Sequence, residues 1–305
     1  MLGLGLLLAA PAMAQRARPI ALSTVAMVGD AVRAIGGERV QAETLIGEGV
    51  DPHLFRPSRA DIARLLRADA VFAVGHRLEG RMGEVLERAR GAGKPVVLVA
   101  ETLPRARLRA HPDYPDAADP HVWMDPVLWA DAIAAVAQPL ALLAPGLETA
   151  APLGEFHARM GRLDAYARDA FAPIPESRRI LVTAHDAFSY FGLRYRFRIE
   201  SIQGLSTEAE ASLSRIEAIV ALLAERGVPA VFAETSVPDR AVRALIEGAG
   251  ARGHRVALGG NLFSDSLGAP GSYRGTLEGM LDHNITTIAR ALGGAAPAQG
   301  LNGRL

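Results

Sequence analysis

Asp119-Pro120-His121-Val122-Trp123-Met124-Asp125-Pro126 is the stretch on which the reading of this chain turns. Its first three residues repeat an earlier triplet, Asp51-Pro52-His53. In each triplet the proline fixes its own φ and drives the aspartate before it into an extended conformation. Each histidine therefore leaves a stiff turn, which suits a ligand that must hold one position. Two more polar clusters follow, Thr183-Ala184-His185-Asp186-Ala187-Phe188 and Phe263-Ser264-Asp265-Ser266-Leu267-Gly268. Three imidazoles and a carboxylate at loop positions are the inventory of a divalent transition-metal site.

Working outward, apolar runs alternate with helical periodicity. Strands are predicted over 20–25, 40–46, 70–74 and 95–100, with helices over 27–35, 58–67 and 78–90. Ser58 reads as a helix N-cap. An irregular surface loop fills 102–119, and a helix over 129–143 stops at Pro145-Gly146. A helical pattern then runs from 148 to 171 and ends at Pro173 and Pro175, as a strut would. Beyond it come strands over 179–183, 228–233 and 254–258, an extended stretch over 194–201, and helices over 185–191, 212–226, 239–249 and 276–292. Strands separated by helices imply βαβ units and parallel sheets. The expected organisation is an α/β lobe over 19–145, a long linking helix over 146–174 and a second α/β lobe over 175–305. Ligands of such lobes bind beyond the carboxyl ends of the strands. His53, His121, His185 and Asp265 all fall on that edge.

Composition narrows the function classes. The chain has 305 residues, half of them apolar, and Lys+Arg balances Asp+Glu at 33 each. That length accommodates two lobes with sizeable cores. The charge balance gives no reason to expect nucleic acid or an anionic membrane as partner and favours a small ligand. Leu2 to Ala14 is apolar and ends in Ala12-Met13-Ala14, so residues 1–14 read as a secretory signal peptide. No basic residue precedes the apolar stretch, so a true start a few residues upstream is expected. No later run reaches the ~18 uninterrupted apolar residues of a membrane span. There is no cysteine, which removes thiolate ligands, disulfides and a lipid-modified cysteine. The expectation is a periplasmic monomer without a lipid anchor.

Eight histidines are present, and a lone histidine is more often a surface or core residue than a ligand. His76, His111, His157, His254 and His283 take that plain reading, with His76 the strongest exception because it follows a strand. His53, His121 and His185 differ in sitting at strand edges beside a carboxylate. Asp51, Asp119 and Asp186 are candidates to orient the imidazoles, against a rival role in turns and caps. The carboxylate ligand is Asp265 or Glu234, and Glu234 has the rival role of hydrogen-bonding a ligand histidine. Trp123 and Trp129 read as packing residues. A zinc-dependent hydrolase on the same site is the alternative function, with Glu234 as general base. A Ser-His-Asp hydrolase lacks its Gly-x-Ser-x-Gly elbow.

With these residues in hand, the chain resembles the metal-specific solute-binding proteins of ABC transporters for zinc, manganese and iron, from about Pro19 to Leu292. The carrying motifs are Gly49-Val50-Asp51-Pro52-His53, Asp119-Pro120-His121-Val122-Trp123, Thr183-Ala184-His185-Asp186-Ala187-Phe188-Ser189-Tyr190-Phe191 and Ser264-Asp265-Ser266-Leu267-Gly268. Gly75 with Leu78-Glu79, and Ile202-Gln203-Gly204-Leu205-Ser206, are also similar. The resemblance implies two α/β lobes joined by one long rigid helix, with His53, His121, His185 and Asp265 as metal ligands in the interlobe cleft. It implies a non-enzymatic binding protein that hands its metal to a membrane permease.

Zinc receptors of this kind often carry a long His- and acid-rich loop before the second histidine, whereas 104–118 holds one histidine, His111. Manganese and iron receptors often place glutamate at the position of His185. Three histidines with one aspartate resemble the manganese/zinc subgroup, so Zn2+ or Mn2+ is the expected cargo, with Fe2+ behind both. Asp265, between two serines and near Gly268, is expected to be the most mobile ligand and the point of release. Protonation of the imidazoles predicts that affinity falls as pH drops through about 6.5.

Overall fold

A computed structural model describes residues 18–305; the expected signal peptide, residues 1–14, lies outside them. The first lobe contains β1 (Ile20–Ser23), α1 (Ala26–Gly36), β2 (Gln41–Thr44), α2 (Arg59–Arg67), β3 (Ala70–Ala73), α3 (Met82–Gly91), β4 (Val96–Leu98) and α4 (Pro126–Leu143). Its strands form one parallel sheet in the order β2-β1-β3-β4. The long helix α5 (Ala150–Phe171) follows. The second lobe contains β5 (Ile180–Thr183), α6 (Ser189–Tyr195), β6 (Arg198–Ser201), α7 (Leu213–Arg226), β7 (Ala230–Glu234), α8 (Arg240–Ala251), β8 (Ala257–Leu262) and α9 (Leu277–Leu292). Here β5 pairs with β6 and β7 with β8, both in parallel.

Local chemistry accounts for most of these boundaries. Ser58 caps α2 as expected, in a reciprocal capping box with Asp61. Helix α4 begins at Pro126 instead of 129: Asp125 accepts from the N–H groups of Val127 and Leu128, and proline is at home in the first turn. α4 also has the length and mean hydropathy of a membrane span. Trp129, Ile133, Val136 and Leu140 are fully buried on it, and it is a core helix of the first lobe.

Three further expected elements shift. The helix predicted over 78–90 starts only at Met82, because Gly75, His76, Arg77 and Gly80 all take positive φ and the Glu79 carboxylate turns inward. Glu79 accepts there from the N–H groups of Val74 and Gly75 and from the Thr24 hydroxyl. The helix predicted over 185–191 is displaced to Ser189–Tyr195, since the His185 and Asp186 N–H groups bond Glu234 and the Gly204 carbonyl. The last strand, predicted over 254–258, runs over Ala257–Leu262 because His254 is spent closing α8 on the Ala249 carbonyl. Gly259 belongs to this strand for a packing reason: a Cβ there would lie 2.6 Å from the Phe232 ring.

Helix α5 has 22 residues, a span of about 33 Å at 1.5 Å per residue. It packs on α1 and α4 of the first lobe and on α9 of the second. Phe156, Met160, Leu163 and Phe171 are buried along it, and one apolar core runs through it from Leu22 and Phe72 to Leu281 and Ile285. Each large apolar side chain so buried contributes roughly 1.5–3 kcal/mol. A hinge through α5 would expose that core. A smaller core, including Val182, Ile219, Leu223, Val231 and Leu245, fills the rest of the second lobe.

Candidate metal centre

Four turns at the carboxyl ends of the sheets converge. His53 follows β2, His185 follows β5 and Asp265 follows β8; His121 ends the long loop after β4. One ligand atom from each lies within 4.8 Å of all the others. All four residues are buried, with His121 and His185 fully so and His53 at 6%. The separations are 3.3 Å between His53 Nε2 and His121 Nε2, 3.4 Å from His121 Nε2 to Asp265 Oδ1, and 3.1 Å from His185 Nε2 to Asp265 Oδ2. His53 Nε2 lies 3.6 Å from Asp265 Oδ2. A tetrahedron with metal–ligand bonds of about 2.0–2.1 Å has edges of about 3.3–3.4 Å, so this spacing suits one small cation. His185 Nε2 and both Asp265 oxygens are buried without a hydrogen bond of normal geometry. Groups left so in a folded core cost free energy unless a ligand takes them.

Two of the three imidazoles, those of His121 and His185, are held from behind at Nδ1, whereas Asp51 holds only the backbone of His53. The Asp119 Oδ1 atom accepts from the His121 backbone N–H at 3.0 Å and lies 2.8 Å from its Nδ1. Glu234 grips His185 in the same two ways, Oε1 on the backbone N–H at 2.9 Å and Oε2 on Nδ1. A proton held at Nδ1 leaves Nε2 as the donor atom. Asp51 Oδ1 accepts from the His53 N–H at 2.8 Å, while its Oδ2 takes the Thr207 hydroxyl from the opposite lobe. Gly80 lies against the same turn: with φ +48° it brings its backbone so close that a Cβ would sit 2.4 Å from the His53 carbonyl oxygen.

Electrostatics separate the three histidines. Burial pushes His53 down to about 3, so it is neutral. Burial also opposes charge on His121, but the bond to Asp119 and the charges of Asp119 and Asp265 outweigh it and raise it to about 9. His185 is held well above the ordinary histidine range, the charges of Glu234 and Asp265 overcoming burial. Asp265 is driven well below its ordinary range, again against burial, by His185 and His121. In formal charges, Asp119, Glu234 and Asp265 with two imidazolium ions sum to −1. A divalent cation with both imidazoles neutral gives the same sum. A divalent ion taken by both Nε2 atoms would therefore have to displace the protons that these carboxylates favour on His121 and His185.

Not every expectation about these residues stands. Asp186 does not orient an imidazole; it accepts from the Ser189 hydroxyl at the start of α6. Glu234 has the bonding role and not the ligand role, which also takes away the nominated general base of a hydrolase. Asp265, expected to be the most mobile ligand, is 2% exposed, and the neighbouring Ser264 carbonyl accepts from Trp123 Nε1 at 2.8 Å. Trp123 and Trp129 are fully buried packing residues, as expected. His76 lies outside the cluster and accepts from the Ala118 N–H. His254 and His283 bond the Val228 and Asn261 carbonyls. Thr207 and Tyr190 were missed as partners of the site. Both lie in or beside the quoted motifs, but nothing in their spacing signals contact with Asp51 or Asp119.

A family model described as zinc-uptake complex component A, periplasmic, matches residues 22–291. The chain is 41% identical over 277 residues to the zinc-binding protein TroA of Treponema pallidum, covering 90% of this chain and 89% of that protein. It is 40% identical over 272 residues to the manganese-binding lipoprotein MntA of Bacillus subtilis, with 88% of each covered. The solved structure of the Treponema pallidum periplasmic zinc-binding protein superposes with a TM-score of 0.86, covering 90% of this chain and 99% of that one at 41% identity. Iron(III)-bound YtgA from Chlamydia trachomatis superposes with a TM-score of 0.80 at 28% identity, covering 91% and 99%. The expected fold, two parallel α/β lobes joined by a long helix, is the fold of these proteins.

Proposed function

The chain belongs to the periplasmic zinc-uptake component A family, and from that premise we propose that His53, His121, His185 and Asp265 are the ligands of a single captured metal ion. The protein is the periplasmic metal-binding component of an ABC transporter, taking up a divalent transition metal and delivering it to the membrane permease. Members of the family are solute-binding proteins and not enzymes. The observation that carries the ligand assignment is the buried convergence of three Nε2 atoms and one carboxylate at spacings that suit a small cation.

Relatives named for zinc and for manganese stand at nearly equal identity. Three imidazoles rank zinc above manganese by the general affinity order, and Asp265 offers two oxygens to either ion. Purified protein, stripped and reloaded with each ion, binds one metal per chain in this reading. A stoichiometry near zero for both ions refutes it.

Capture here involves little movement, because the common core along α5 resists a hinge. Scattering of metal-free and loaded protein should give nearly equal dimensions. We further assign residues 19–145 and 175–305 to the two lobes, 146–174 to their link and 1–14 to the export signal. The working form is a monomer with no nucleic-acid partner. The first residue of protein recovered from the periplasm, expected to be Gln15, and its mass in solution test these assignments.

A further inference from the structure

Helix α6 carries two side chains that touch none of the four candidate ligands directly yet hold the segment that bears one of them. Tyr190 is buried; its hydroxyl donates to the Asp119 carbonyl at 3.0 Å and accepts from the Arg109 N–H at 3.1 Å. Arg194 donates from Nε to Asp164 Oδ1 on α5 at 2.6 Å and from Nη1 to Asp125 Oδ2 at 3.2 Å. Asp125 divides its carboxylate, since Oδ1 is already occupied by the first N–H groups of α4. The segment from Asp119 to Asp125 precedes α4 and belongs by chain order to the first lobe. Yet α6 of the second lobe holds both of its ends, and Trp123 ties its middle to Ser264, next to Asp265. The candidate ligand His121 sits inside this clamp, and its own orienting partner, Asp119, is one of the residues clamped.

α6 is in turn built onto the His185 turn: the Ser189 hydroxyl bonds Asp186, and the Ala187 N–H bonds the His185 carbonyl. We propose that Tyr190 and Arg194 are positioning residues for metal capture, through which α6 sets His121 against His185 and Asp265 before a metal arrives. Simple packing does not require these bonds. Phe191 and Tyr195 pack edge-on against Phe171, Phe188 at the helix start packs edge-on against Phe191, Phe191 leans on Phe197 at a tilt, and phenylalanine at 190 would fill the same space. A hydroxyl on a main-chain carbonyl and a guanidinium shared by two carboxylates are directional, and they fall at the ends of the segment that bears the ligand.

This inference rests on the metal-site reading above, and one experiment separates the two. Wild type, Tyr190→Phe, Arg194→Met and Arg194→Lys are compared for Zn2+ affinity by chelator competition and for the visible spectrum of bound Co2+. Tyr190→Phe and Arg194→Met should each bind Zn2+ at least about 10-fold more weakly, the scale seen when partners behind a ligand are lost. Their Co2+ bands should shift as the imidazole geometry loosens. Arg194→Lys should recover part of the loss, because it keeps the charge but not the planar fork. The Tyr190→Phe/Arg194→Met pair should lose less than the product of the single losses, since both act on one segment. Variants that melt earlier yet keep wild-type Zn2+ affinity and Co2+ spectrum would reduce α6 to packing and overturn the proposal. A wild type that takes up neither ion would overturn the metal-site reading itself.

Discussion

Raising or lowering pH is the perturbation that tests the proposed centre most directly, because His121 and His185 favour their charged forms and a metal on their Nε2 atoms would displace those protons. His121 is raised to about 9, and His185 stands well above the ordinary histidine range. At pH 7, two units below 9, the proton on His121 alone weakens apparent affinity by about 100-fold relative to the deprotonated site, at tenfold per unit. Between pH 6 and 8, affinity should therefore rise at least about tenfold per unit from His121, and about 100-fold per unit if His185 releases its proton too. His53, pushed down to about 3, adds nothing to this slope. Calorimetry at pH 7 in two buffers of different ionisation enthalpy counts the protons directly, and about two per metal are expected.

Without metal, the same shifts make the stability of the fold depend on pH. A histidine whose folded pKa is raised stabilises the fold below its unfolded value, near 6.5, and the gain is lost as pH rises through 9. For His121 the difference amounts to about 3 kcal/mol. His53, neutral in the fold, acts the other way and costs stability as pH falls below 6.5. A metal affinity that is flat from pH 6 to 8, or release of less than one proton per metal, would refute the two-for-one exchange.

His121→Ala should abolish tight metal binding, whereas His111→Ala, a loop residue whose Nδ1 accepts from the Asp113 N–H, should cost far less; calorimetry on the pair decides. Glu234→Gln keeps its size but replaces the carboxylate behind His185, and metal affinity should fall roughly 10- to 100-fold without any hydrolytic activity being lost, since none is expected. Wild-type ester or phosphate hydrolysis that disappears in this variant would contradict both statements. Gly80→Ala forces a side chain into a left-handed backbone and against the His53 carbonyl, so about 1–3 kcal/mol should be lost in thermal or denaturant unfolding. Metal affinity should drop with it, because the clash falls on the turn that holds His53.

The sequence by itself determined the frame and the candidate ligands. Proline in Asp-Pro-His, serine at the start of α2 and the apolar periods of β1, β3, α5 and α9 act through a few neighbouring residues, so they are legible without a fold. Placing His53, His121, His185 and Asp265 at strand ends needed only the pattern of alternating strands and helices. The tertiary structure alone decided what each polar group does with its second partner. Glu234 was open between ligand and support until the strand β7 came to rest beside the His185 turn, 49 positions away in sequence. Asp51 and Thr207 are 156 positions apart, and Tyr190 and Asp119 are 71 apart, and no local rule connects either pair. The upward pH window likewise arises only when three carboxylates and three imidazoles share one buried space. Charge on an imidazole is set by what surrounds it at a few ångströms, and those neighbours are brought by the fold, not by the chain order.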